Sequence, residues 1–186
     1  FDAPFAQAPI VLSDVQTANG MDFVVTRQIA GGPDDFQVTM QEEEALNGGA
    51  HATETVGWVA VEGGVGAFAG RVFEAGRIAG VTEAGVAVPL AAGTEAVAEL
   101  SSFAGSDPAW ARAAAAPSGG LEVSAEEERS LDPETVHGAE TVDYLAVSGA
   151  GSVEGLALST ALVSGTAELT HGTTTLTLAH AFANPV

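Results

Sequence analysis

One string of chemically capable residues occurs twice in the chain, as HATETVGWVAV at residues 51–61 and as HGAETVDYLAV at residues 137–147. Six of the eleven positions are identical. Each copy offers an imidazole, a carboxylate and an aromatic ring, which are groups that bind metals, transfer protons or stack against sugars. The repetition indicates a duplicated site or a duplicated piece of scaffold.

The His-x-x-Glu spacing does not favour a zinc site. Residues i and i+3 share one face of a helix, but they point to opposite faces of a strand, and a strand pattern follows each histidine. Calcium prefers carboxylate oxygens, which the run Glu42, Glu43 and Glu44 offers together with Glu54. No calcium-loop pattern is present in the sequence. We therefore expect no cofactor, with Ca²⁺ at Glu42, Glu43 and Glu44 as the alternative.

The chain offers little for catalysis. It contains no cysteine, and no Gly-x-Ser-x-Gly turn presents a nucleophilic serine. Paired carboxylates can act as acid and base, but three glutamates at the end of a strand are more typical of a solvated terminus. The sequence therefore predicts a protein that is not an enzyme.

The charge balance is strongly acidic, with 25 Asp and Glu against 5 Lys and Arg and a formal net charge of −20. The cations are scattered along the chain, so we expect no nucleic-acid partner and no binding to an anionic membrane surface. No apolar run is long enough for membrane insertion. The acidity suits a protein that stays soluble in salty water, or one that meets cations such as Ca²⁺.

Further matches indicate that the chain is a tandem repeat. TANGMDFVVTR (17–27) aligns with SFAGSDPAWAR (102–112), and FQVTMQEE (36–43) aligns with LEVSAEEE (121–128), both at an offset of 85 residues. The two His-x-x-Glu strings lie at an offset of 86. We predict two units, residues 1–90 and 91–186, joined near residues 88–96. FANPV at residues 182–186 resembles FAQAPIV at residues 5–11. Residues 181–186 are therefore either the start of a third unit or simply a terminal strand.

The hydrophobic pattern within each unit is that of β-strands. FQVTMQ alternates apolar and polar residues with a period of two, and TVGWVAV and TVDYLAV are short β-branched and aromatic runs. The alanine run DPAWARAAAA (107–116) has high helix propensity, but its repeat partner is strand-like, so we predict a strand there as well. The predicted fold class is all-β, with two tandem antiparallel β-sandwich units.

The arginines favour a structural role for the repeated glutamates. Arg27 and Arg112 occupy matching positions, each upstream of a matching glutamate. We predict the ion pairs Arg27–Glu54 and Arg112–Glu140. Partial burial is expected for both pairs, because an exposed pair contributes only about 0–1 kcal/mol.

Two interpretations of the remaining repeated residues stay open. In the structural one, each histidine bonds a neighbouring loop, and each aromatic residue is a core side chain with a polar end. In the other, each unit binds a ligand such as a sugar, stacking it on the aromatic ring. The residues of these sites are Trp58, His51 and Glu54 in the first unit, and Tyr144, His137 and Glu140 in the second.

The layout F-x-x-x-P-x-V … T-x-N-G … V-x-R … F-x-V-x-x-Q-E-E-E … H-x-x-E-T-V-G-W-x-A-V-E-G, from Phe5 to Gly63, resembles repeat modules of large secreted bacterial surface proteins. It is also distantly similar to the H-type lectin domain, a small antiparallel β-sandwich. That likeness implies oligomeric sugar binding at strand edges and loop ends. The second unit departs from it, with Leu121 in place of Phe36 and Tyr144 in place of Trp58.

Together these patterns predict a non-enzymatic β-sandwich repeat module of a large secreted or cell-surface bacterial protein, with an adhesive or matrix role. The alternatives are a carbohydrate-binding module and a structural subunit of an extracellular fibre or phage-type virion appendage. The expected partners are glycans or neighbouring copies of the protein, in a homo-oligomer or fibre. The expected location is extracellular or at the cell surface.

Overall fold

The computed structural model describes residues 5–46, 49–68, 71–90, 95–117, 119–148, 162–169 and 174–177. The predicted all-β class is confirmed, because these residues form antiparallel strands and one short 3-10 helix, Glu44–Leu46. No helix in the described part of the chain is long and apolar enough to cross a membrane. The strands are β1 Ile10–Val15, β2 Val24–Gly31, β3 Asp35–Glu42, β4 Glu54–Val61, β5 Gly64–Phe68, β6 Arg71–Val81, β7 Val86–Val88, β8 Glu95–Leu100, β9 Ala109–Ala115, β10 Leu121–Glu127, β11 Glu140–Ser148, β12 Leu162–Leu169 and β13 Thr174–Thr177.

The first sandwich combines the first four strands with the last two. One sheet has the strand order β1-β4-β12, and the other has the order β13-β3-β2. The period-two pattern of β3 turns Phe36, Val38 and Met40 into the core between these sheets. The buried members of this core are Phe5, Val11, Phe36, Val38, Met40, Val56 and Ala60.

The second sandwich is made from one continuous stretch, β5 to β11. Its sheets have the strand orders β5-β6-β11-β8 and β7-β10-β9. The buried members of its core are Val81, Val88, Leu100, Ala109, Leu121, Val123, Ala125, Val142, Tyr144 and Ala146.

The alanine run forms strand β9, as predicted from its repeat partner. Ala109 is fully buried, and Ala111 and Ala113 pack partly buried against the second core. All seven residues of β9 pair with β10. Tertiary packing of these alternate alanines and the β10 hydrogen bonds therefore outweigh the high helix propensity of alanine.

The strand positions repeat along the chain at the offsets found in the sequence. β8 and β9 begin 85 residues after β1 and β2, and β11 begins 86 residues after β4. Each repeat therefore starts with four corresponding strands, β1 to β4 in the first and β8 to β11 in the second.

The strands that close each sandwich are exchanged between the repeats. β6 of the first repeat pairs with β11 of the second, and β12 of the second repeat pairs with β4 of the first. In the same way, β7 pairs with β10, and β13 pairs with β3. Every sandwich thus takes its first four strands from one repeat and its closing strands from the other.

This exchange corrects the predicted division into units 1–90 and 91–186. Both β7 and β8, which flank the predicted boundary near residues 88–96, belong to the second sandwich. The chain passes between sandwiches after Val61, where β4 ends. The predicted start of a third unit at residues 181–186 lies outside the described residues.

Candidate functional site

Glu54 is the hub of the first repeated cluster, and it is buried at the start of β4. Its carboxylate accepts hydrogen bonds from the Thr17 hydroxyl at 2.5 Å and from the backbone N–H groups of Asn19 at 2.7 Å and Gly20 at 2.8 Å. These bonds, that of Thr17 first, lower the pKa of Glu54 to about 2. The carboxylate therefore fastens the loop between β1 and β2 to the start of β4.

The His51 ring completes this cluster by contacting two carboxylates. Its Nδ1 lies 2.9 Å from Glu42 Oε1, and its Nε2 lies 3.2 Å from Glu54 Oε1. The ring covers Gly20 so closely that a Cβ there would lie 2.2 Å from His51 Cε1. We call Thr17, Gly20, His51 and Glu54 the first latch, because together they fix one loop to one strand.

The second repeat contains the equivalent cluster, formed by Ser102, Gly105, His137 and Glu140, which we call the second latch. Glu140 accepts hydrogen bonds from the Ser102 hydroxyl and from the backbone N–H of Gly105 at 3.1 Å, and His137 Nε2 lies 3.0 Å from its Oε1. Burial raises the pKa of Glu140, but the bonds from Ser102, Gly105 and Ala104 together with the charge of Arg27 keep it below its ordinary value. In both repeats the glutamate bonds the neighbouring loop, whereas the histidine, predicted to bond that loop, contacts carboxylate groups instead.

Arg27 joins the two repeats instead of pairing within its own. Its side chain is fully buried, and Nη2 donates to Glu140 Oε1 and to the Ser102 carbonyl, the latter at 3.2 Å. Nη1 donates to Gln41 Oε1 at 2.7 Å, and the guanidinium carbon lies 4.8 Å from the centre of the Phe103 ring. Arg27 therefore adds a contact from the first repeat to the second latch.

The predicted ion pairs Arg27–Glu54 and Arg112–Glu140 are corrected by these contacts. Arg112 pairs with Glu126 on the adjacent strand, and its side chain is 59% exposed. The two arginines occupy equivalent repeat positions, but Arg27 points into the contact between the sandwiches whereas Arg112 points into solvent. The sequence offset identified the equivalence without indicating this difference in surroundings.

The two repeated aromatic residues are used differently. Trp58 is half-buried and packs edge-on against Phe36, with ring centres 5.5 Å apart. Tyr144 is buried in the second core, and its hydroxyl donates to Glu74 at 2.7 Å. Burial and this bond raise the pKa of Tyr144. Of the residues predicted to bind a sugar, Trp58 therefore keeps an open face, whereas the buried ones are His51, Glu54, His137, Glu140 and Tyr144.

An open groove of about 890 Å³ lies between the two sandwiches, and Trp58 forms part of its wall. Phe23 and Trp110 also line it, edge-on to each other with ring centres 6.5 Å apart. Sequence reasoning missed this groove because Phe23 and Trp110 are not retained between the repeats. The available signal was Trp110 itself, a large aromatic residue within an alanine run.

Glu99 brings a buried carboxyl group to the same groove. Ser13 Oγ lies 2.5 Å and Thr26 Oγ1 lies 3.1 Å from its Oε1. Burial raises the pKa of Glu99 to about 8, which the hydrogen bonds from Ser13 and Thr26 oppose. The groove therefore combines aromatic walls with a carboxyl group that titrates near neutral pH.

The three consecutive glutamates predicted as a calcium site do not meet in one place, and Glu43 belongs to neither of the clusters in which its neighbours lie. The other two belong to separate sets of ligand-capable residues, Asp22–Glu42–His51 and Glu44–Asp107–Glu127. Within each set, one atom of every residue lies within 4.8 Å of the others.

Comparison with known proteins gives a distant relative. The chain is 28% identical over 152 residues to Halomucin from Haloquadratum walsbyi (strain DSM 16790 / HBSQ001), a surface protein of a halophilic archaeon. The match covers 80% of this chain and 2% of Halomucin, so the chain spans a very small part of that protein. No protein-family model and no solved structure matches the chain. The relative is archaeal where bacterial proteins were expected, and the likeness to the H-type lectin domain stays a prediction.

Proposed function

We propose that this chain is a non-enzymatic structural module of a large extracellular or cell-surface protein that works in concentrated salt. The likeness to Halomucin supports the location, and it joins the chain to a protein from a halophilic organism. The net charge of −20 supports the salt environment, because salt screens the repulsion among surface carboxylates. An adhesive or matrix role is consistent with an extracellular location and with a salt environment.

The use of the repeated polar residues carries this proposal. His51, Glu54, His137 and Glu140 are buried and bonded to groups of their own chain. A catalytic or ligand site needs some of its polar groups open to the substrate. Retention of the string in both repeats is therefore explained by the loops that the two latches hold, without a substrate.

The exchanged strands support a structural role because they connect the two repeats rigidly. Because closing strands of one repeat complete the sandwich of the other, main-chain hydrogen bonds join the repeats. A flexible linker between independent domains would leave their relative motion free. Repeats joined by strands hold a fixed arrangement, which suits an architectural role.

Labelling of intact cells tests the location. An antibody against residues 64–148 should label unpermeabilised cells of the organism that makes this chain, and protease treatment of those cells should release its peptides before those of cytoplasmic marker proteins. A requirement for permeabilisation would overturn the proposal.

A carbohydrate-binding role is the second candidate, and the groove between the sandwiches is the observation that favours it. Trp58, Phe23 and Trp110 offer aromatic surface for a sugar ring, while the Glu99 and Asp14 carboxyl groups line the same groove. This candidate site shares Trp58 with the predicted one, but its polar groups are different.

A glycan array followed by titration of each hit tests the second candidate. Trp110→Ala should abolish binding, whereas Val65→Ala, an exposed apolar residue on β5 outside the groove, should leave it unchanged. The absence of hits at millimolar sensitivity, or equal binding by the two variants, would remove the groove as a sugar site.

A further inference from the structure

Three carboxylates from both repeats converge beside the second latch. Glu44 begins the short helix after β3, Asp107 precedes β9, and Glu127 ends β10. One oxygen of each lies within 4.8 Å of the others. Two oxygens that bind one Ca²⁺ ion at about 2.3–2.6 Å lie at most about 5.2 Å apart, and the separations in this cluster fall within that limit.

Two oxygens of this cluster are buried and accept no hydrogen bond of good geometry. The Glu127 side chain is 2% exposed, and its Oε2 forms an ion pair with His137 Nδ1 at 3.3 Å but accepts no hydrogen bond of good geometry. Glu44 Oε2 is also buried and unbonded. Leaving a buried carboxylate oxygen without a partner costs free energy. A cation shared by the two glutamates is one partner that satisfies both oxygens.

The surroundings of the cluster oppose further negative charge. Burial raises the pKa of Glu44, and the charge of Asp107 adds to the rise. Burial likewise raises the pKa of Glu127, with His137 opposing the rise and Asp107 adding to it. The carboxylates therefore repel one another when no cation is bound.

We propose that Glu44, Asp107 and Glu127 form a divalent-cation site that prefers Ca²⁺. The ligand set consists of hard carboxylate oxygens, which suit Ca²⁺ better than Zn²⁺. The site takes one ligand from the first repeat and two from the second. A bound ion therefore ties the end of β3 to the β9–β10 pair and strengthens the contact between the sandwiches.

The first repeat offers an internal comparison. Its equivalent acids, Asp22 and Glu42, lie beside His51, and the residue that corresponds to Glu44 in the second repeat is Arg129. The first cluster therefore has an imidazole in place of a third carboxylate, and an imidazole is a poorer ligand than a carboxylate for a hard ion. We therefore expect one preferred Ca²⁺ site within the part of the chain that the structure describes.

Calorimetric titration of the metal-free full chain with CaCl₂, at constant ionic strength, tests the site. Wild-type protein should show a saturable event with a Kd on the order of 10⁻⁴–10⁻³ M, as in other extracellular calcium modules. Glu44→Gln should weaken this binding by roughly tenfold or more, in the range expected for loss of a site residue. Glu62→Gln, an exposed acid outside the cluster, is the matched control and should bind as wild type does.

Thermal unfolding separates loss of the site from loss of the fold. Without Ca²⁺, Glu44→Gln should unfold at the same temperature as wild type or above it, because the substitution removes a like charge. Added Ca²⁺ should raise the unfolding temperature of wild type and of Glu62→Gln but not that of Glu44→Gln. Equal increases in all three proteins would overturn the proposal, as would the absence of saturable binding up to about 10 mM Ca²⁺.

Discussion

The Arg27 guanidinium and the Glu140 carboxylate form a fully buried ion pair between the two repeats, with 2.5 Å between Nη2 and Oε1. Glu140 also fastens a loop of its own repeat through Ser102 and Gly105. One carboxylate thus takes part both in holding a loop and in docking the two sandwiches. Replacement of Arg27 should therefore weaken both the attachment of this loop and the docking of the two sandwiches.

Replacing Arg27 should destabilise the protein far more than replacing Arg112. Arg27→Met leaves Glu140 buried without its cation, which costs up to about 3–5 kcal/mol. Arg112→Met removes an exposed pair with Glu126, which contributes about 0–1 kcal/mol. Urea denaturation of wild type and both variants measures the difference. Equal losses in the two variants would contradict the special role of the buried pair.

Gly20 should not tolerate a methyl group. In Gly20→Ala the new Cβ meets the His51 ring, which contacts Glu42 and Glu54 and so has little freedom to move. We expect a loss of about 1–3 kcal/mol in the free energy of unfolding. Gly66→Ala is the control, because its Cβ meets nothing within 4 Å. A Gly20→Ala protein as stable as Gly66→Ala would show that the latch rearranges without cost.

The protein should become less stable as the pH rises through the titration of Glu99. Its pKa is about 8 in the folded state, raised mainly by burial, against 4.5 without the fold. The folded state therefore holds a proton that the unfolded state has lost, so the free energy of unfolding falls by up to about 1.4 kcal/mol per pH unit over that interval.

Glu99→Gln should abolish this part of the pH dependence. Its amide keeps an oxygen for the Ser13 N–H and offers N–H groups to the Ser13 and Thr26 hydroxyls, without a titrating proton. Urea denaturation of the variant and wild type at several pH values between about 5 and 8 measures both slopes. Identical slopes would contradict a buried, protonated Glu99.

Glu54 should have the opposite effect at low pH. Its folded pKa is about 2, lowered first by the Thr17 hydroxyl, against 4.5 without the fold. Its contribution to stability is therefore complete above pH 4.5 and is lost as the pH falls toward 2. Glu54→Gln should flatten the decline of the unfolding temperature over that interval. Glu62→Gln, which is exposed, should leave the decline unchanged.

Residues 64–148 should fold alone, whereas residues 1–90 should not. The first fragment keeps both sheets of the second sandwich and its whole buried core. The second fragment lacks β12 and β13, which pair with β4 and β3. Cooperative thermal unfolding followed by circular dichroism distinguishes the fragments. Cooperative unfolding of residues 1–90 would mean that β6 and β7 can fold back onto their own repeat.

The strand positions were predictable because hydrophobic alternation and the repeat carry local information. The period of two in FQVTMQ was enough to assign Phe36, Val38 and Met40 to a core face. The repeat offset was enough to make β9 a strand despite its alanines. A pattern of this kind identifies a strand and the face of that strand that is buried. It contains no information about which other strand pairs with it.

Local patterns do not specify pairing partners. The sequence therefore could not predict the exchange of closing strands or the ion-pair partner of Arg27. In a tandem repeat β6 and β12 occupy corresponding positions, so β4 and β11 each have two candidate partners with similar backbone edges. Which one pairs depends on loop geometry and on packing between the sandwiches. Arg27 and Arg112 likewise look alike in sequence, and only the three-dimensional arrangement buries Arg27 at Glu140.

The exchanged strands also determine how the molecule would respond to tension. Phe5 and β13 both belong to the first sandwich, so a pulling force applied at residues 5 and 177 acts across that sandwich. The second sandwich, whose strands lie between residues 64 and 148, stays outside the line of force until β12 and β13 detach. Extension would therefore occur in two steps. The first sandwich would open first, and the second sandwich would then unfold and lengthen the chain further.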